Sequence, residues 1–303
     1  SGRYEFRNKG IDIFLDALKQ LAETDALDRE VLVYITVPSA TTGPRKDLQA
    51  HLADENSPID PKQNRFCTHY LEHPEWDQIL NSIAGSVLAN PSSKVKVVFV
   101  PTYLNGRDGI FDKSYYELLV GMDMTLFPSY YEPWGYTPLE STAFSVPTLT
   151  TTLAGFGLWA GSQGEHEGVT LVARNDDNYA EAAREIAKAL LHFTKYTPQE
   201  VEIARNAAAE LSRTALWSEL YAAYEKAYSE AIERSVTRTN RAVLNDGGGA
   251  TEQINFVRQQ LITEKPHWNR VMVEKVLPKR LHALEVLSHN LWWSWTSGAR
   301  DLF

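Results

Sequence analysis

Two glutamates, Glu132 and Glu140, lie eight positions apart around a Pro-Trp-Gly turn. They follow an apolar segment, Met124–Phe127, whose pattern predicts a buried strand. If Thr137 and Pro138 open a helix, Glu140 falls in its first turn. Glu132 then lies on the loop at the carboxyl end of the strand, where α/β proteins bind ligands. One carboxylate can face a sugar while the other faces a nucleotide ribose, so the spacing outlines a sugar-donor site.

The start of that predicted helix is also suited to binding phosphate. Gly135, Tyr136 and Thr137 supply backbone N–H groups there, and the first N–H groups of a helix have no partner within it. A diphosphate accepts hydrogen bonds from such groups. Thr137 can also serve as the N-cap of the helix, and the sequence leaves both roles open.

Arg3 and Lys9 lie six positions apart, just before a predicted helix. Breaking a glycosyl–phosphate bond leaves a nucleoside diphosphate with additional negative charge. Two cations aimed at that group lower the barrier without a metal ion. Such a pair alone is more often a solvated surface feature, but Gly10 and the two glutamates favour the functional interpretation.

Apolar strands that end at proline alternate with amphipathic helices along the chain. The predicted strands are 31–37, 95–100, 124–127, 148–152 and 168–173, and the predicted helices are 11–21, 114–121, 141–145, 179–193, 198–213 and 215–232. Residues 41–92 show no strand pattern and are predicted to form a helical insertion. This order predicts an α/β fold with a Rossmann-like, doubly wound parallel sheet over residues 1–233.

The composition favours a cytoplasmic protein that binds neither nucleic acid nor a membrane. The net charge is −9, whereas nucleic-acid binding requires clustered Lys and Arg. No apolar run approaches the roughly 20 residues that span a bilayer. The single cysteine, Cys67, rules out an intramolecular disulfide and suits a reducing compartment.

Three stretches resemble the animal and fungal type of glycogen synthase, a retaining glycosyltransferase with two Rossmann-like lobes (the GT-B architecture). The run Ser129–Glu140 is similar to the E-x7-E element of that family in its Tyr-Tyr-Glu-Pro-Trp-Gly-Tyr-Thr-Pro form. Residues 2–10, Gly-Arg-Tyr-Glu-Phe-Arg-Asn-Lys-Gly, resemble the segment that carries the family's basic pair. Residues 150–157 resemble the loop after the next strand, where glycines are expected to let the backbone approach the sugar.

The resemblance implies a role for each matching residue. Glu132 is expected to contact the donor glucose and to help stabilise an oxocarbenium-like transition state, as nucleophile, electrostatic stabiliser or orienting group. Arg3 and Lys9 are expected to face the diphosphate. Glu140 is expected to bind the ribose. Tyr115 matches the tyrosine that stacks on uracil, although the adjacent Tyr116 leaves the register open by one residue.

The resemblance also implies an activity. A glycogen synthase transfers glucose from UDP-glucose or ADP-glucose to the non-reducing end of an α-1,4-glucan, with no cofactor and no metal ion expected. The acceptor glucan is expected to bind a second, amino-terminal lobe that this chain lacks, so the chain alone is expected to be inactive. The oligomeric state stays open, with a homo-oligomer among the alternatives.

The composition of the chain changes after residue 233. Residues 234–275 include an Asp-Gly-Gly-Gly-Ala segment and are predicted to be a linker. Residues 276–303 contain a Leu-Trp-Trp-Ser-Trp element that resembles the beginning of bacterial α-glucan phosphorylases. Together these features predict the donor part of a longer synthase–phosphorylase polypeptide.

The sequence leaves two functional alternatives open and contains one pattern with metal-ligand spacing. The chain could be a catalytically silent module that binds nucleotide or glucan, or a related transferase with another acceptor. His69, Glu72 and His73 have the spacing of an inverted zinc-protease helix. We interpret this pattern as a solvated helix face and expect no metal site.

Overall fold

The computed structural model describes residues 1–164 and 166–245, with side chains described through residue 238. The chain divides into two units, Ser1–Glu219 and Leu220–Phe303. The first unit contains every residue of the predicted donor site, and its architecture therefore determines how that site is positioned.

Helices and strands alternate through the first unit, as the sequence predicts. The strands are β1 (Val31–Thr36), β2 (Thr41–Pro44), β3 (His69–Leu71), β4 (Val95–Val100), β5 (Thr125–Phe127), β6 (Thr148–Thr151) and β7 (Val169–Val172). The helices are α1 (Ile11–Glu23), α2 (Lys46–Ala53), α3 (Gln78–Ala84), α4 (Tyr115–Leu119), α5 (Tyr136–Ala143), α6 (Gly155–Ser162), α7 (Tyr179–Phe193), α8 (Pro198–Arg213) and α9 (Trp217–Asn245).

Five of the strands pair in parallel, which confirms the predicted α/β class. β1 pairs with β4 from Val31 opposite Val95 onward. β6 pairs with β5 on one side and with β7 on the other. Within the described residues these strands form two separate parallel sheets, ordered β1-β4 and β5-β6-β7, rather than one continuous sheet.

The main core forms where α1 packs against α7 and the strands. Ile13, Leu15 and Leu18 on α1 are fully buried, as is Ile186 on α7. Each such side chain contributes about 1.5–3 kcal/mol through removal of apolar surface from water. This packing fixes α1, and with it the basic loop that precedes the helix.

Residues 41–92 differ from the predicted helical insertion. The segment contains α2 and α3, but also an antiparallel pair formed by β2 and β3. His69 lies in β3 rather than on a helix, and its buried ring bonds to Thr68 and to the Asp108 carbonyl. His73 is exposed beside Glu75. The predicted solvated helix face is therefore wrong for His69, since both of its ring nitrogens are used inside the protein.

Helix α9 extends into the predicted linker. α9 continues to Asn245, so the linker predicted from residue 234 is helical as far as that residue. The rest of the linker and the predicted phosphorylase start at 276–303 lie outside the described residues, and both stay predictions.

Candidate active site

The loop that carries Glu132 lies between β5 and α5 and is held by main-chain hydrogen bonds to α6. Gly155 N–H donates to the Glu132 carbonyl at 2.9 Å, and Phe156 N–H donates to the Trp134 carbonyl at 2.6 Å. Glu132 N–H in turn donates to the Leu153 carbonyl at 3.2 Å. Because these bonds fix the backbone on both sides of Glu132, its side chain projects from a defined position at the carboxyl end of the sheet.

The glycines of residues 154–157 allow α6 to pack closely against neighbouring main chain. They were expected in a loop close to the sugar, but Gly155 and Gly157 belong to α6. A Cβ on Gly155 would lie 2.1 Å from the Pro133 carbonyl oxygen, and one on Gly157 would lie 2.2 Å from the Thr151 carbonyl oxygen. Both glycines therefore allow close packing within the protein, and their expected approach to the donor sugar stays a prediction.

Replacing Gly155 by Ala is expected to lower the free energy of unfolding by about 1–3 kcal/mol, because the methyl group meets main-chain atoms that cannot move independently. The measurement is the urea midpoint of the variant against wild type. Gly85→Ala is the matched control, since nothing lies within 4 Å of a Cβ added there. Equal midpoints for the two variants would contradict the assigned contact.

Lys9 and Glu132 form a direct ion pair in the structure. The Lys9 side chain is 16% exposed and the Glu132 side chain 23% exposed, so water screens the pair only in part. Sequence spacing gave no indication that these two predicted site residues touch each other.

Three contacts position Lys9 by fixing its loop against the Glu132 loop. Tyr130 N–H donates to the Asn8 carbonyl at 2.8 Å. Gly10 has φ of 68°, and a Cβ there would lie 1.8 Å from the Pro128 carbonyl oxygen. The buried Arg174 guanidinium donates to that same oxygen. Asn8 and Arg174 are therefore positioning residues that the sequence did not reveal, because their contacts link segments distant along the chain.

Arg3 does not reach this pair. Its guanidinium contacts Glu5 at 3.0 Å, and its side chain is 78% exposed. The structure therefore brings only one of the two predicted cations to the predicted catalytic glutamate.

Helix α5 begins one residue earlier than predicted. Gly135, with φ of 109°, is the N-cap, and α5 starts at Tyr136. Thr137 therefore lies inside the helix rather than capping it, and Glu140 lies beyond the first turn, which contains no acidic residue. In the described part of the chain, the N–H groups of Tyr136 and Thr137 have no hydrogen-bond partner. These are the donors that a helix start offers to an anion.

Glu140 lies beside the two candidate base-stacking tyrosines. Tyr115 is half-buried, and its hydroxyl lies 2.8 Å from Ser1 Oγ. Burial raises the pKa of Tyr115, and the Glu140 carboxylate adds to that rise. Charge repulsion from Glu140 raises the pKa of Tyr116. The Tyr116 ring is 43% exposed and stacks on Phe144 with centroids 5.0 Å apart. Both aromatic rings thus remain near the predicted ribose-binding carboxylate.

The last features of the site region are the absence of a metal-ligand cluster among the described residues and the presence of a cavity. Among the described residues, no three His, Cys, Asp or Glu side chains form a group that could hold a metal ion. The described helices are all too short or too polar to cross a membrane. One cavity of about 790 Å³ is lined by residues that include Lys9, Tyr115, Ser129 and Thr137. The chemistry that these groups support is the binding of an anionic ligand by Lys9 and a helix start, next to a carboxylate.

Parallel strands with flanking helices, and a lysine–glutamate ion pair beside a helix start, define an α/β protein with a candidate anion-binding site. The family model described as glycogen synthase matches residues 50–280. The chain therefore belongs to the glycogen synthase family.

Two curated relatives agree with this assignment. The "Glycogen [starch] synthase" of Neurospora crassa is 28% identical over 78% of this chain and 41% of its own length. That of Caenorhabditis elegans is 28% identical over 77% of this chain and 43% of its own length. A solved glycosyltransferase structure from Rickettsia africae ESF-5 has a TM-score of 0.41 and 16% identity, covering 74% of this chain and 45% of the other. This chain spans about two fifths of the length of the curated relatives.

Proposed function

We propose that this chain is the donor-binding part of a glycogen synthase-type retaining glucosyltransferase. The donor is UDP-glucose or ADP-glucose, and the acceptor is the non-reducing end of an α-1,4-glucan. The observation that carries the proposal is the contact between Lys9 and Glu132 beside the unpaired amides of Tyr136 and Thr137. Membership of the family supports the reaction class.

Each group has a distinct role in this proposal. The amides of Tyr136 and Thr137 bind the diphosphate of the donor. Lys9 leaves Glu132 and pairs with the diphosphate. As the glycosyl–phosphate bond breaks, its electron pair leaves with the nucleoside diphosphate, and Lys9 stabilises the negative charge that develops there. Glu132, released from Lys9, faces the glucose as its anomeric carbon becomes positive. Arg3 breaks its ion pair with Glu5 and binds the diphosphate, which requires a movement of this exposed side chain.

In this proposal the base and ribose contact Glu140 of α5 and the tyrosines of α4. Glu140 accepts hydrogen bonds from the ribose hydroxyls, and Tyr115 stacks on the base, with Tyr116 as the neighbouring alternative. The cationic and amide groups neutralise the diphosphate, so the proposed reaction requires no metal ion. In the parent polypeptide a second lobe binds the glucan, and a phosphorylase module follows the linker. We place the parent enzyme in the cytoplasm.

The proposal is tested by calorimetric titration of this chain with UDP, ADP and their glucose conjugates. At least one diphosphate is expected to bind with a Kd below about 1 mM, since a charge-assisted diphosphate site is worth several kcal/mol. Uridine and adenosine are the controls, because they carry the base and ribose without the anion. Absence of binding at millimolar concentration, or equal binding of nucleoside and diphosphate, would contradict the proposed site.

A further inference from the structure

Tyr116 lies along the face of α5 that carries Glu140. The Tyr116 ring stacks on Phe144, with centroids 5.0 Å apart and ring planes inclined by 18°. Phe144 follows Glu140 by four residues, and its N–H donates to the Glu140 carbonyl at 3.0 Å. Side chains four residues apart on a helix are neighbours on one face. The ring stack therefore places Tyr116 beside the Glu140 side chain.

The Tyr116 hydroxyl reaches the Glu140 carboxylate. Charge repulsion from Glu140, with smaller contributions from burial and from a side-chain hydrogen bond to Glu140, raises the pKa of the Tyr116 phenol. Within the described chain, no cation forms an ion pair with Glu140. The phenol is therefore the group that restrains this carboxylate.

Tyr116 is itself held in place by its surroundings. Helix α4 begins with a capping box, in which Ser114 and Glu117 each bond to the main chain of the other. The Tyr115 ring packs edge-on against Tyr116, with centroids 5.4 Å apart. With Phe144 stacked against one face, the Tyr116 ring has neighbours on two sides. Its hydroxyl is thus a fixed donor next to a carboxylate on the neighbouring helix.

This arrangement leaves Glu140 able to bind a ligand. A carboxylate has about four acceptor positions on its two oxygens, and the phenol occupies one of them. Two ribose hydroxyls can be accepted while the phenol stays in place. A side chain that is ordered before binding loses less conformational freedom when the ligand arrives, which favours binding.

We infer that Tyr116 is a positioning residue for the donor nucleotide, whose hydroxyl holds the Glu140 carboxylate in the orientation that accepts the two hydroxyls of a ribose. The inference rests on the proposed function, which assigns Glu140 to the ribose. It gives Tyr116 a role other than base stacking. One face of the Tyr116 ring is already covered by Phe144, and the base is left to Tyr115.

The test is calorimetric titration of the Tyr116→Phe variant of this chain with UDP and ADP, and with their 2′,3′-dideoxy analogues. The variant keeps the ring and its stack on Phe144 and removes the hydroxyl alone. For the diphosphate that binds the wild-type chain, the Kd is expected to rise by about three- to tenfold. The Kd of the dideoxy analogue is expected to stay unchanged, because the analogue has no ribose hydroxyls for Glu140 to accept. Tyr103→Phe, at a side chain that is 75% exposed, is the matched control and is expected to leave every Kd unchanged.

Two binding results would overturn the inference. The first is a Kd for UDP and ADP that is unchanged or lower in Tyr116→Phe, because the hydroxyl would then be neutral or would compete with the ribose. The second is an equal loss of affinity for the ribose and dideoxy forms, because Tyr116 would then act on the base or on the fold. Either result is obtained with a wild-type chain that binds nucleotide, so it leaves the proposed function standing.

A second measurement requires no nucleotide. Glu140→Gln is expected to lower the pKa of the Tyr116 phenol toward its ordinary value, because the repelling charge is removed. The titration is followed by NMR of ring-labelled tyrosine, and Tyr116→Phe identifies the resonance. An identical titration of Tyr116 in the wild-type chain and in Glu140→Gln would contradict the contact itself, whatever the chain binds.

Discussion

Glu132→Gln is expected to reduce glucosyl transfer by the full-length enzyme by at least about 100-fold, because loss of one preorganised charge at the reacting centre typically costs that much or more. Glutamine has nearly the same shape, so the main-chain hydrogen bonds from residue 132 to Leu153 and from Gly155 to residue 132 persist. In the proposed mechanism, the variant loses the negative charge that faces the anomeric carbon. The measurement is kcat with saturating donor and glucan.

The same variant is expected to keep nucleotide binding and to tighten it. Lys9 contacts Glu132 in the structure, so a bound diphosphate has to compete with that carboxylate for the lysine. Removing the carboxylate charge removes the competition, and we expect the Kd for the nucleoside diphosphate to fall by up to about tenfold. Glu181→Gln, at an exposed position on α7, is the matched control. Transfer at the wild-type rate by Glu132→Gln would remove Glu132 from the proposed mechanism.

The elements of this fold were predictable where a local pattern determines them. The strand at 95–100 and the helix at 179–193 have the bounds expected from their apolar periodicity. β2 and β3 were missed because they are strands of four and three residues whose sequences, Thr-Thr-Gly-Pro and His-Tyr-Leu, carry little strand signal. Their pairing depends on tertiary contacts that no local window contains.

The candidate site was predictable in its residue types but not in its contacts. The turn around Gly135 placed Glu132 on a loop, which the structure confirms. The ion pair between Lys9 and Glu132 joins residues 123 positions apart, and only the packing of two loops brings them together. Gly155 is a similar case. A Cβ at this position would clash with the Pro133 carbonyl, which lies in a different segment of the chain.

Lys9→Met is expected to reduce kcat of the full-length enzyme by about 100- to 1,000-fold, the usual cost of removing one group that stabilises transition-state charge. Methionine retains the length and packing of the lysine stem, so the loop contact between Asn8 and Tyr130 is expected to persist. The variant removes a cation from the diphosphate and leaves Glu132 half-buried and unpaired. We therefore also expect weaker binding of UDP or ADP, in contrast to Glu132→Gln.

The double variant separates the two roles of Lys9. If Lys9 acts both on the leaving group and on Glu132, the losses in kcat from Lys9→Met and Glu132→Gln are expected to be less than additive in free energy, because the two side chains touch. Lys188→Met, at a 70% exposed side chain on α7, controls for the loss of one surface cation and is expected to leave kcat unchanged. Fully additive losses would show that the two residues act independently, which would contradict the exchange of Lys9 between Glu132 and the diphosphate.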